Sequence, residues 1–499
     1  MKTAKIIILK ILLLICLLIG MNALYRLFFY EKDIQKHSDI IYLVNDVVED
    51  ESEVIYIGES SNITMRGDDI DKRPISSFIA EYFPNRRFGN ITKPASHADI
   101  YYTLLNNIPA DSKVKTVIVT LNLRSFNAEW IYSKLETPLQ KSIVLIKDYP
   151  PLWNRFLLSF KGYDIKTDIE RSAQIHYEWR FTTLKFPYSV RYATVTEWDR
   201  AMAIEGIKKE DGSYDEVLTP LACHFIKTYA FQIDTLKNPR IKDFDKIVAL
   251  AKKRNWNLVF NLMAENVEMA DSLVGKDLIF LMKQNRDLLI ERYQRMGVIV
   301  VDNFCSVRDE EFIDRDWTTE HYAEKGRKIV AHNVAQALKT LYPNDYQEVQ
   351  PPTEKRNAFF HNCDDDNTWT QWHTITREQA FSGKKSSKTG NGDDFGLTFE
   401  YGIKNLPDSL KTVDVEMQIF QQDLAHDAQI VLEITGKGSV TFPIKNQAHE
   451  VNKWQKVSCQ FNLEADFYDW HIVKVFLYNP YNTVIYCDDI RVVFNHLMF

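Results

Sequence analysis

The sequence holds only six cysteines in 499 residues, and no two stand in a CxxC pair. The paired-thiolate spacing of a structural zinc site is therefore missing. It also lacks a strong charge of either sign. The formal net charge is -7, small for this length, which argues against a nucleic-acid partner. No internal repeat and no low-complexity tract occurs, which excludes solenoids and repeat arrays. What remains is an ordinary globular composition, with 45% hydrophobic and 26% charged residues. The length calls for two or three domains. Aromatic residues are abundant, at 24 Tyr, 29 Phe and 10 Trp. That number suits large cores and also surfaces that stack on sugar rings.

Charge is absent from one long N-terminal run as well. ILLLICLLIGMNAL (Ile11 to Leu24) is the uncharged centre of an apolar stretch from Ile6 to Phe29. With Lys10 and Arg26 snorkelling at its ends, it reaches the ~20 residues that a membrane span needs. MNA supplies Met21 and Ala23 where a signal-peptide cleavage site wants two small residues, and Cys16 has bulky neighbours. Residues 1–30 are therefore expected to be an uncleaved transmembrane anchor. Lys2, Lys5 and Lys10 place its N-terminus in the cytoplasm and the bulk of the chain outside, in the periplasm or at the cell surface. Residues 31–50 have the mixed polar character of a stalk.

From Glu51 onward, apolar runs alternate with helical spacing. VIYIG (54–58), KTVIVTLNL (115–123), NLVFNLM (257–263) and GVIVVDN (297–303) predict four buried strands of a parallel sheet covered on both faces. Residues 147–244 are long, aromatic and less regular, as an insertion over one end of the sheet would be. A polar, proline-bearing linker spans 344–356. Residues 357–499 then change to short period-two strands, which predict an antiparallel β-sandwich.

A parallel sheet gathers its chemistry beyond the carboxyl ends of its strands. The first strand ends in GESS, which leaves two compatible readings of Ser60. A tight strand-to-helix turn projects it into a cleft, or Ser60 or Ser61 caps a helix. The second strand ends at Asn122, and His321 in DRDWTTEHYAEKG precedes the last helix. A serine nucleophile needs a base for its proton and N–H donors for the oxyanion. These residue types supply both if the sheet brings them together.

At these positions the chain resembles the SGNH (GDSL-like) hydrolases and acyltransferases, with their three-layer, flavodoxin-like α/β sheet. GESS aligns Ser60 with the nucleophile, with Glu59 where Asp is usual. NITKPASHAD (90–99) is similar to the second block, with Ala95 in place of an oxyanion glycine. TLNL (120–123) retains Asn122 of the third block, and HYAEKG aligns His321 with the base. The resemblance covers residues 51–343. It implies metal-free and cofactor-free acyl transfer, in which Ser60 attacks and His321 moves the proton. The N–H groups of Ser60 and Ala95, with Asn122, hold the oxyanion. The usual acid position is Thr318, so Asp316, and after it Asp314, are the expected substitutes; a Ser-His dyad is the fallback. His97 is expected to be structural. The implied function is that of an extracytoplasmic carbohydrate esterase, deacetylase or O-acyltransferase with a polysaccharide or glycan partner. The alternative is a glycan-binding envelope protein with an inert SGNH domain.

FFHNCDDDNTW, AFSGKKSSKTG and VIYCDDIRVV resemble the opening, early and closing strands of jelly-roll carbohydrate-binding modules. The first and last strands of such modules lie side by side. That implies a carboxylate cluster of Asp364, Asp365, Asp366, Asp488 and Asp489 suited to structural calcium, with a solvated acidic turn as the alternative. The same adjacency implies a disulfide between Cys363 and Cys487. Trp369, Trp372, Trp454 and Tyr478 are candidates for stacking on sugars or for filling the sandwich core.

Overall fold

The computed structural model describes the chain except residues 1, 165, 350–356, 365–368, 408–409, 425–426, 464–467, 469 and 497–499. It forms two compact units. The first comprises Met1–Asn62, Phe78–His321 and Lys328–Gln347; the second comprises Ile63–Ser77, Tyr322–Arg327 and Glu348–Phe499.

The first unit is built on a parallel sheet of five strands: β1 (Val54–Gly58), β2 (Phe88–Thr92), β3 (Thr116–Leu121), β4 (Asn257–Leu262) and β5 (Ile299–Asp302). Their order, β2-β1-β3-β4-β5, is the doubly wound, flavodoxin-like order. Every residue of β1 and β3 is buried, because helices cover both faces and leave no polar side. β2 is not among the strands predicted from sequence. It is an edge strand in which only Ile91 is fully buried, so its sequence FGNIT has no apolar run to reveal it.

Residues 31–50 form no stalk. They fold as two helices, Tyr30–His37 and Ile41–Glu49, that bury Ile34, Val44 and Val47 in the core of this unit. The second helix packs close against β2, where a side chain on Gly89 would come within 2.5 Å of Val47. Short amphipathic helices place few apolar residues in a long polar run, which is how this stretch imitates a stalk.

The N-terminal helix Lys2–Phe28 contains an apolar segment, Ile6–Phe28, of mean hydropathy 2.7, which is exposed over most of its length, with Tyr25 buried near its end. The insertion is helical, and its Leu218–Tyr229 helix lies at the carboxyl edge of the sheet. There the Lys227 and Thr228 carbonyls accept from the Asn127 amide at 2.7 and 2.6 Å. The helix Pro239–Arg254, capped by Asn238, is the crossover that leads into β4.

The second unit is a β-sandwich. One sheet joins Trp454–Asn462, Leu410–Gln421, Ile485–His496, Ser386–Thr389 and Ile375–Thr376 in that order. The other joins Gly438–Pro443, Gln429–Ile434, Ile472–Tyr478 and Phe399–Gly402. The unit's first strand, Ala358–His361, pairs antiparallel with its last, Ile490 opposite His361. Alternate residues such as Val413, Val415, Met417 and Ile419 point into the core, the period of two that the sequence displays.

Candidate active site

β1 delivers the candidate nucleophile. A side chain on Gly58 would come within 2.4 Å of Thr120 Oγ1, so the strand can end there only in glycine. Ser60 then opens the short helix Ser60–Ile63. Ser61 does not cap it, because its hydroxyl makes no hydrogen bond among the described residues. Glu59 does, its Oε1 accepting the Ser61 N–H at 3.1 Å and its carbonyl the Asn62 N–H at 3.1 Å. The Ser60 hydroxyl is left for other partners.

Its single hydrogen is within reach of more than one acceptor. Ser60 Oγ lies 2.9 Å from His321 Nε2 and 2.7 Å from Glu59 Oε2. His321 Nδ1 is 2.7 Å from Asp314 Oδ2. A carboxylate only accepts, so Nδ1 carries the ring proton and Nε2 is the acceptor that faces Ser60. The hydrogen bond from His321 holds the Asp314 carboxyl below its ordinary range, and Asp314 also accepts from the Thr319 hydroxyl.

Asp316, the first choice from sequence, makes no part of this arrangement. It is exposed at the loop tip. The Ile313 N–H donates to the His321 carbonyl at 2.9 Å, and this fold-back sets Asp314 beside the ring and leaves Asp316 outside. Thr318, at the acid position that the sequence resemblance implies, faces away. Its hydroxyl is 2.9 Å from His224 Nε2 and its carbonyl accepts from Arg124 at 2.9 Å.

Two further residues complete the setting. Ala95 has φ +60°, the left-handed conformation that costs an L-residue roughly 1–2 kcal/mol and that glycine adopts freely. The backbone shape of a glycine is thus kept by an alanine. Asn122, at the end of β3, donates from Nδ2 to Glu59 Oε1 at 3.0 Å. This carboxylate fixes the amide's orientation, and the amide nitrogen keeps a second hydrogen to donate. Glu59, Ala95, Asn122 and Arg124 line one cavity, which Trp130 also borders.

Sequence reasoning did not single out Glu59 or Arg124 as site residues. Burial pushes Glu59 up, but Arg124, His321 and the N–H donors of Ser61 and Asn122 outweigh it and hold the carboxyl below its ordinary range. Arg124 pairs with Glu320 at 2.5 Å, and both are buried. Burial drives Glu265 well above the usual carboxylate range, with Glu320 adding to it, and Tyr229 donates to it at 2.5 Å. His224, from the insertion, stacks on Trp317 with ring centres 3.8 Å apart. Its position two strands and a hundred residues from the other site residues gives no local signal. His97 is buried between Arg240, 2.7 Å from Nδ1, and Glu136, 2.9 Å from Nε2.

In the second unit the aromatic candidates divide. Trp369 is core, 5% exposed and packed against His361 and Phe399, so it cannot stack on a sugar. Trp454 packs on Phe420 and Phe381, and Tyr478 on Phe395. Trp372 alone of the four is exposed, at 39%. Among the carboxylates, Asp364 accepts from the Lys384 N–H at 2.9 Å. Asp488 accepts from Phe381 and Ser382 N–H at 2.8 and 3.1 Å, and Asp489 accepts from the Ser382 hydroxyl. Asp365 and Asp366 lie outside the described residues, and no cluster of three potential metal ligands occurs among the described residues. Cys363 and Cys487 are free thiols. The Cys363 sulfur points to the Cys487 carbonyl at 3.7 Å, and so the two are adjacent without being bonded.

No family model matches the chain, and no curated protein matches it. Solved structures do. A two-domain esterase active on acetylated mannans is 9% identical, over 92% of this chain and 96% of its own, at a TM-score of 0.24. A lipase/acylhydrolase from Enterococcus faecalis is 8% identical, over 60% of this chain and all of its own, at a TM-score of 0.28. A xylan-binding domain from Paenibacillus barcinonensis is 16% identical, over 28% of this chain and 95% of its own, at a TM-score of 0.21.

Proposed function

We propose that the chain is a serine-dependent acyl-transfer enzyme acting on ester-bearing glycans, as an esterase or deacetylase when water accepts the acyl group and as an O-acyltransferase when a sugar hydroxyl does. The observation that carries this reading is the unbroken relay from Asp314 through His321 to Ser60. Ser60 Oγ attacks the acyl carbonyl as His321 Nε2 takes its proton, and Asp314 stabilises the imidazolium that forms. The bond to the sugar oxygen breaks, and His321 returns the proton to it. Water or a second hydroxyl then repeats the attack on the acyl-enzyme. The N–H groups of Ser60 and Ala95, with the free hydrogen of the Asn122 amide, are the donors for the oxyanion. No step calls for a metal or cofactor.

Two features support a glycan rather than a lipid ester. Trp317, 52% exposed on the loop that carries Asp314, offers a flat ring for stacking on a sugar, and the β-sandwich has the architecture of carbohydrate-binding modules. The Ile6–Phe28 segment supports anchoring with the catalytic chain outside the cytoplasm. The structural calcium expected at Asp364, Asp365, Asp488 and Asp489 stays a proposal in which Asp365 has to complete the ligand set, because the described carboxylates alone form no cluster; calorimetry with calcium decides it. The function itself is tested by incubating the full-length protein with acetylated polysaccharide. Acetate release, or acetyl appearing on an added oligosaccharide, should occur with the parent and vanish in Ser60→Ala. Glycan binding with no Ser60-dependent product would leave the inert, glycan-binding alternative.

A further inference from the structure

We propose that the outward face of the helix Pro151–Ser159 is a membrane-interface surface, seated in the headgroup layer of the bilayer that the N-terminal helix crosses. The inference rests on the anchor reading and adds a second, peripheral contact with the same membrane.

The helix PLWNRFLLS is held from behind. Asn154 is buried and donates to the carbonyls of Leu145 and Lys147 at 3.1 and 2.8 Å, and Leu158 is buried beside it. With that side fixed, Trp153, Phe156 and Phe160 fall on the opposite side, at the i, i+3, i+7 spacing of one helix face. They are 54%, 39% and 80% exposed, and Tyr149, just ahead of the helix, is 57% exposed. Phe156 and Phe160 stack on each other without covering one another. Four large aromatics in water are costly, at ~25 cal/mol for each Å² of apolar surface left wet.

What covers them follows from where the helix sits. Its Leu152 N–H donates to Asn22 Oδ1 at 2.9 Å, and Arg155 pairs with Asp33 at 2.8 Å. Asn22 lies within the apolar segment that ends at Phe28, six residues or about 9 Å of helix from that end. The segment's 23 residues extend about 34 Å, a little more than the ~30 Å hydrocarbon core. With Tyr25 buried in the unit and Asn22 hydrogen-bonded to it, the lipid-covered part of the segment ends near Asn22, and the headgroup layer falls at the level of the aromatic face. Trp and Tyr prefer that level, where a ring can meet the acyl chains while its polar edge stays wet. Lys161, exposed just past Phe160, suits anionic headgroups there. Anchored twice, the unit would be held at one orientation to the membrane surface instead of swinging on a tether.

Photocrosslinking tests this in the full-length protein, reconstituted in vesicles of phosphatidylethanolamine and phosphatidylglycerol. A benzophenone side chain is placed singly at Phe160, at Leu13 within the anchor, and at Leu236, an 82% exposed residue elsewhere in the unit. Lipid adducts at Leu13 and Phe160, severalfold above Leu236, are expected. Adducts at Leu13 but none at Phe160 would overturn the interface and leave the anchor standing. Crosslinks from Phe160 to a second copy of the chain would overturn it in favour of a dimer contact. Absence of lipid at both positions would overturn the anchor reading and the interface together.

Discussion

Asp314 Oδ2 stands 2.7 Å from His321 Nδ1, although two residues of the same loop, Asp316 and Thr318, are nearer in sequence. The contact exists because Ile313 and His321 are joined backbone to backbone. It sets the first test. Asp314→Asn should lower kcat by roughly 10⁴-fold with the fold intact, since the amide imposes the wrong tautomer on the imidazole. Asp316→Asn should stay within a few-fold of the parent. Steady-state kinetics on an acetyl ester, with circular dichroism as the folding control, separates the two.

Glu59 touches the hydroxyl of Ser60, the N–H of Ser61 and the amide of Asn122. It is a positioning residue rather than a group that reacts. Glu59→Gln keeps one acceptor oxygen where the carboxylate has two, so either the Ser61 N–H and the Asn122 amide lose their acceptor or the Ser60 hydroxyl has to accept from the Gln NH2 instead of donating. The expected loss is roughly 10²-fold in kcat, the scale of one misplaced oxyanion donor, with KM little changed. Glu59→Asp, which keeps the charge, should recover part of it. A rise in KM at constant kcat would mean that Glu59 binds substrate instead.

Arg124 is a buried cation placed among Glu320, Glu59 and Glu265. Arg124→Met should destabilise the first unit by about 3–5 kcal/mol, because it leaves buried carboxylates without their counter-charge. Removing both charges, as Arg124→Met with Glu320→Leu, should recover much of that loss. Denaturant unfolding monitored on both variants is the measurement.

Burial lifts the Asp488 carboxyl from its ordinary 3.8 to about 6, against the pull of the N–H donors it accepts. The folded chain therefore binds this proton more tightly than the unfolded one. The contribution to stability is full below about pH 4 and is lost as pH rises through about 6. Asp488→Asn mimics the protonated form, so its Tm relative to the parent should rise from pH 4 to pH 7. A constant difference across that window would show that the group titrates normally.

How much of this was legible in the sequence depended on whether a signal was local. β1, β3 and β4 are buried on both faces, and so their apolar runs were visible without a partner in view. β2 was hidden because an edge strand has little to bury. The helices at 31–50 were hidden because Ile34, Val44 and Val47 are spaced among polar residues. Ser60, Asn122 and His321 could be marked because strand ends are few and their residue types were distinctive. The choice between Asp314 and Asp316 could not be made locally, since a single backbone hydrogen bond across the loop decides it. Trp369 illustrates the same limit: nothing in its neighbours tells a core ring from a surface one until Phe399 is known to face it.

The central claim is that Ser60 is a nucleophile activated by His321. Active-site labelling of the full-length protein with a fluorophosphonate, followed by peptide mass spectrometry, tests it most directly. Stoichiometric modification is expected at Ser60, much slowed in His321→Asn and abolished in Ser60→Ala. A folded parent protein that leaves Ser60 unmodified, or that labels equally well without His321, would contradict it.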